Sequence, residues 1–214
     1  MTMENGDIWG KNGEVVGTST SSTSEKVYPV AGNHRELTDR YHELSLKFKD
    51  GYSVIFRMYN EGMAYRFCGN LPGQDSLIVA DEEASFNLAD DPAVILPETT
   101  NFTAWELSNV LYEGISKIEE RKYGITPTLF TNKIQNVRVV VAESDLNNYP
   151  GMYLRKEGGK MKGYWAAYPK KIEMGSWGNF ITVVKERENY LARTAGNHAF
   201  PWRIAIVAKM IRNY

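Results

Sequence analysis

The chain has almost nothing with which to cross-link itself. One cysteine, Cys68, stands alone in 214 residues, which excludes an intrachain disulfide and any cysteine-built zinc centre. Stability must come from packing. No apolar run approaches the roughly 20 residues that span a bilayer, and the opening Met1-Thr2-Met3-Glu4-Asn5-Gly6-Asp7 lacks the basic and apolar regions of a secretion signal. An excess of charge is missing too. Lys+Arg at 25 against Asp+Glu at 26 leaves a formal net charge of −1, so nucleic acid and anionic membrane find no electrostatic footprint and neither is expected as a partner. The three histidines, His34, His42 and His198, share no i, i+4 or HxH spacing, and no GxSxG, P-loop or GxGxxG motif is present. No catalytic residue is therefore assigned.

What is present reads as β structure. Leu44, Leu46 and Phe48 alternate with polar residues, Asp50-Gly51 interrupts, and Tyr52, Val54, Phe56 and Met58 alternate again. Asp-Gly between period-2 runs predicts a hairpin with a type I′ turn. Asn60-Glu61-Gly62 then leads to Met63, Tyr65 and Phe67, so three strands form a meander. Further strands are predicted at Ala84–Ala89, Phe102–Trp105, Thr128–Thr131, Val137–Ala142, Lys160–Tyr168, Phe180–Val184 and Trp202–Ala208, and a short helix at Ile115–Lys122. Many short strands with punctuated turns argue for an all-β sandwich with less than about a fifth of its residues helical. Thr18-Ser19-Thr20-Ser21-Ser22-Thr23-Ser24 has no apolar side chain to order it. Residues 1–25 are read as a flexible leader and 26–214 as the sandwich.

Three patches carry a family resemblance. Phe56-Arg57-Met58-Tyr59-Asn60-Glu61-Gly62-Met63-Ala64-Tyr65-Arg66-Phe67, after Tyr41-His42-Glu43-Leu44, resembles the "YNEL … FRVYDDGVAFRY" stretch of glycoside hydrolase family 97. Val140-Val141-Ala142-Glu143-Ser144-Asp145-Leu146-Asn147-Asn148-Tyr149-Pro150-Gly151-Met152-Tyr153-Leu154 is similar to "EADLYDYPGMYL", and Phe200-Pro201-Trp202-Arg203-Ile204 to "TPWRVI". The resemblance is to the amino-terminal domain of that family. It implies a β-super-sandwich of the galactose-mutarotase-like kind, packed in the full enzymes against a (β/α)8 catalytic barrel that acts on α-glucosides or α-galactosides and depends on calcium. It also implies a periplasmic or secreted enzyme. The family usually opens with a further pair of strands where this chain has its Ser/Thr-rich leader, so the sandwich is expected to be incomplete at one edge. A barrel is expected to be absent, and the chain alone to be inactive.

By the same resemblance Glu143 is a calcium ligand donated to the barrel, with its carboxylate at a strand end, partly exposed and without a basic partner. The bland alternative is a solvated turn carboxylate. Calcium takes about 6–8 oxygens, so one carboxylate binds it weakly at best. Tyr149-Pro150-Gly151 reads as a tight reversal in which Gly supplies positive φ, with a secondary role for Tyr149 at a sugar rim. Trp202 is assigned to the core or a domain interface rather than a sugar platform, and Arg203 to the same interface, paired with a carboxylate. Trp9, Trp105, Trp165 and Trp177 are candidates for stacking on sugars, although burial is the commoner fate. Trp177, set among Gly175, Ser176 and Gly178, is the best exposed of them. Asp81-Glu82-Glu83, Asp90-Asp91 and Glu119-Glu120 read as solvated loop charge, not as a glycosidase acid pair. Two rival readings remain beside the accessory domain: a non-catalytic carbohydrate-binding module, and a mutarotase-like epimerase.

Overall fold

A computed structural model describes residues 1–103, 108–176 and 182–209. They form β1 (Thr2–Met3), β2 (Val15–Val27), β3 (Leu37–Phe48), β4 (Tyr52–Tyr59), β5 (Gly62–Gly69), β6 (Leu77–Asp81), β7 (Ser85–Phe86), β8 (Ala93–Thr99) and β9 (Asn109–Tyr112). After a 3-10 turn at Ile115–Lys117 come β10 (Tyr123–Ile125), β11 (Thr128–Asn132), β12 (Val137–Ser144), β13 (Met152–Glu157), β14 (Lys160–Trp165), β15 (Pro169–Met174), β16 (Thr182–Arg187), β17 (Ala192–Thr194) and β18 (Trp202–Lys209). The fold is an all-β sandwich, as the period-2 runs predict. Among the described residues no helix is long and apolar enough to cross a membrane.

One continuous sheet runs β2-β3-β4-β5-β18-β12-β11-β8-β10-β13-β14-β7, with β9 also on β8, and a smaller sheet runs β1-β6-β17. Among the described residues, strands β15 and β16 pair only with each other. Side chains alternate between faces, so Tyr52 and Val54 of β4, Val94 and Leu96 of β8, Phe130 of β11 and Val141 of β12 all enter one core. Met3 of β1, Leu77 and Val79 of β6 and Leu154 of β13 meet them there. Trp9 stacks on Tyr52 at 5.0 Å and Phe48 on the same ring at 4.5 Å. Trp9 and Trp165 are thus core residues, while Trp105 and Trp177 lie outside the described residues.

Several expectations change. The Ser/Thr tract is no leader: Val15–Val27 pairs antiparallel along β3, from Val15↔Phe48 to Val27↔Leu37. Order there comes from the backbone ladder, not from side-chain burial, and hydroxyls with Glu25 and Lys26 keep an exposed edge strand polar. The Asp50-Gly51 turn is not type I′. Phe48 pairs with Tyr52 and only Gly51 has positive φ (77°), which makes a three-residue loop closed by an αL glycine. The helix predicted at Ile115–Lys122 is the single 3-10 turn. Tyr123-Gly124-Ile125 instead inserts as β10 between β8 and β13, where a Cβ on Gly124 would meet the Pro97 carbonyl oxygen at 2.5 Å. Phe102 and Thr103 lie in a bend rather than a strand, and Ala104 and Trp105 fall outside the described residues. Phe180 does too, and the strand predicted from it begins as β16 at Thr182.

Candidate functional site

The residues singled out by the family motifs converge where β12 and β18 end beside the small sheet. In β18, alternation sends Arg203 inward and Trp202 to the opposite face. Arg203 is register partner to Glu143 of β12. Glu82, which follows β6, arrives from the other layer. Arg203 donates from Nε to Glu82 Oε1 at 2.8 Å and from Nη2 to Glu82 Oε2 at 2.7 Å, a bidentate fork, and from Nη1 to Glu143 Oε2 at 2.7 Å. Tyr149 OH donates to Glu82 Oε2 at 2.8 Å, and the Met152 N–H donates to Glu143 Oε1 at 2.7 Å. One guanidinium thereby ties the large sheet to the small one.

These contacts correct four expectations. Glu143 is not a free carboxylate: its side chain is 9% exposed and its oxygens are taken by Arg203 and the Met152 amide. Glu82 is not solvated loop charge but the principal partner of Arg203. Arg203 does pair with a carboxylate, yet it is buried, so it does not present itself to another domain. Tyr149 is 8% exposed, with its hydroxyl on Glu82 and its ring in T-shaped contact with Phe200, so it is packed rather than open to a sugar. The tight turn before Met152 also differs in detail. Asp145 (φ 65°) and Asn148 (φ 50°) supply the positive φ, not Gly151.

Burial pushes the Glu143 carboxyl above the ordinary carboxylate range, Arg203 and the Met152 N–H pull it down, and Glu82 pushes it up again; burial prevails. Burial opposes the charge of Arg203, but Glu82 and Glu143 more than offset it and the guanidinium stays charged. Burial, then Glu82, raises Tyr149 well above a free phenol. The sign for stability follows. A folded state that holds the Glu143 proton more tightly than the unfolded chain loses stability as pH rises from the ordinary value, 4.5, through the raised one. Glu143→Gln cannot ionise. Melting temperatures taken across that window should therefore show the wild type falling relative to Glu143→Gln, with a constant gap above it.

Trp202 lies on the opposite face and is 9% exposed, so it is packed rather than offered as a platform. Arg57 and Arg66 place their guanidinium carbons 4.7 and 4.4 Å from its ring. Each arginine is held in turn, Arg57 by Glu43 and Arg66 by Asp145, both at 2.8 Å. Beside the stack runs an open groove of about 390 Å³ lined by Tyr59, Ala64, Ile204 and Ile206.

The residues present do not by themselves fit a calcium ion. Among the described residues no group of three or more His, Cys, Asp or Glu is placed to hold a metal. Glu143 shares its carboxylate with a guanidinium that would repel a cation. Glu82 is held in the same way by two Arg203 nitrogens and a phenol.

The chain matches the family described as glycosyl-hydrolase 97 N-terminal over residues 1–213, and it belongs to that family. It is 32% identical over 219 residues to the retaining α-galactosidase of Bacteroides thetaiotaomicron, covering 97% of this chain and 32% of that enzyme. The fold is similar to a glycoside hydrolase family 97 enzyme from Pseudoalteromonas sp. strain K8 solved with acarbose (TM-score 0.69, 17% identity, 92% of this chain and 28% of that one). It is also similar to a β-arabinopyranosidase (TM-score 0.72, 19% identity, 97% of this chain and 33% of that one). The chain thus spans about a third of the length of these relatives.

Proposed function

We propose that the chain serves as the amino-terminal accessory domain of an α-glycosidase, walling one side of a cleft whose acid and base lie in a separate (β/α)8 catalytic domain. The observation that carries this reading is the family match over residues 1–213 together with a relative, a retaining α-galactosidase, three times as long. The α-galactosidase relative favours an α-galactoside over an α-glucoside. A structural role is supported by the burial of Glu82 and Glu143, both hydrogen-bonded by one buried arginine. Calcium dependence, in this reading, belongs to residues supplied by the rest of the enzyme, and this chain binds the ion weakly or not at all. Such an enzyme works in the periplasm or outside the cell.

The test is turnover by the purified chain. p-Nitrophenyl α-D-galactopyranoside and α-D-glucopyranoside should both survive incubation with it, with and without millimolar calcium. Hydrolysis that tracks the protein through two orthogonal purification steps would overturn the reading.

A further inference from the structure

In a sheet with one face in water, strands alternate apolar and polar. Several strands here do not, β12 and β18 among them. Val139-Val140-Val141-Ala142 in β12 and Ile204-Ala205-Ile206-Val207-Ala208 in β18 are apolar on both faces. Of their inward residues, Val141 is core and Val139 packs against that core. Their outward residues fall into register with neighbours across the sheet. Ile206 pairs with Val140, Val140 with Leu129 of β11, Leu129 with Ile95 of β8, and Ile95 with Leu111 of β9. The adjacent outward row holds Ala142, Ile204 and Ala64, paired in the same way.

These two rows cross several strands without a charged side chain, a field roughly 20 Å wide at about 4.8 Å per strand, with the exposed Arg138 of β12 in the next outward row at its margin. The row is open to solvent: Leu111 is 62% exposed, Ile206 44% and Ile95 37%. Single exposed apolar residues mean little, but a contiguous uncharged field marks an interaction surface. At its β5 end it runs into the groove beside Trp202, where Arg57 and Arg66 are already neutralised by Glu43 and Asp145. A partner that docks there has no unpaired cation of the stack to desolvate.

We propose that this outward face of β9-β8-β11-β12-β18 is the seat of the remaining two thirds of the enzyme polypeptide, an inference that rests on the accessory-domain reading above. The occupant follows from proportion and chemistry. The α-galactosidase relative has 68% of its length beyond the region this chain covers, since 32% is matched. That polypeptide is joined to the domain at high effective concentration, and the two rows ask for an apolar surface rather than a charged or nucleic-acid partner.

Carbene footprinting with mass spectrometry tests it on proteins as they exist: this chain, and the intact Bacteroides thetaiotaomicron α-galactosidase. In the chain, Leu111, Ile95 and Ile206 should label strongly. In the intact enzyme the aligned positions should label at least fivefold less, while those aligned with Leu44 and Met58, exposed on the other face, keep their labelling. Protection at the Leu44 and Met58 positions in place of the row would overturn the assignment of the face and leave the accessory-domain reading standing. No protection anywhere on this domain would overturn both. Protection of the row already in the chain alone would show that copies cover one another, and would overturn the choice of occupant.

Discussion

Arg203→Ala should cost about 3–5 kcal/mol of unfolding free energy, a large share of the roughly 5–15 kcal/mol that stabilises a typical domain. The reason is the neighbourhood rather than the pair itself. Among the described residues Arg203 is the single guanidinium hydrogen-bonded to both Glu82 and Glu143, and all three side chains are less than a tenth exposed. Removing it strands two carboxylates in low dielectric together with the Tyr149 hydroxyl that donates to one of them. Arg203→Lys should recover only part of the loss, because an ammonium cannot reproduce a fork that reaches two carboxylates at once. Urea denaturation followed by tryptophan fluorescence measures both variants. A loss below about 1 kcal/mol for Arg203→Ala would mean that the cluster does not join the two sheets as described.

Much of the architecture is legible along the chain where alternation is clean. The meander of β3, β4 and β5 falls where Leu44 to Phe67 place it, and β11, β12, β14 and β18 lie on or near their predicted runs. The misses have physical causes. The strand β2 is hidden because serine and threonine give no hydrophobic period, and its order is borrowed from β3. Strand β8 contains Pro97, which argues against a strand in sequence, yet it lies inside the large sheet with β9 along one side and β10 and β11 along the other. The family motifs led to Glu143, Tyr149, Trp202 and Arg203, and the fold does bring all but Trp202 together. Their mutual chemistry was not legible. Glu82 is 121 residues from Arg203, sits between two other acids, and carries no local sign that one of the three turns inward. Without Glu82, Arg203 reads as an interface residue and Glu143 as a free ligand; with it, both belong to one buried ion-pair cluster. The doubly apolar strands were visible as sequence, but only the register showed that their outward residues join into one field.

The accessory-domain reading makes an all-or-none prediction about activity. A glycosidase whose catalytic groups lie elsewhere should tolerate an exchange of its amino-terminal domain for a relative of the same fold, provided the face between domains is kept. The exchange is demanding at 32% identity, but the apolar field asks for shape and lack of charge more than for particular hydrogen bonds. The most direct measurement is the hydrolysis of p-nitrophenyl α-D-galactopyranoside by the Bacteroides thetaiotaomicron α-galactosidase in which the matching third has been replaced by this chain. Beside it stands the same enzyme with that third deleted. The account predicts turnover from the hybrid within about two orders of magnitude of the parent, and none from the deleted form. A deleted form that melts cooperatively and hydrolyses the substrate as fast as the parent would contradict it, because the domain would then contribute nothing to the enzyme.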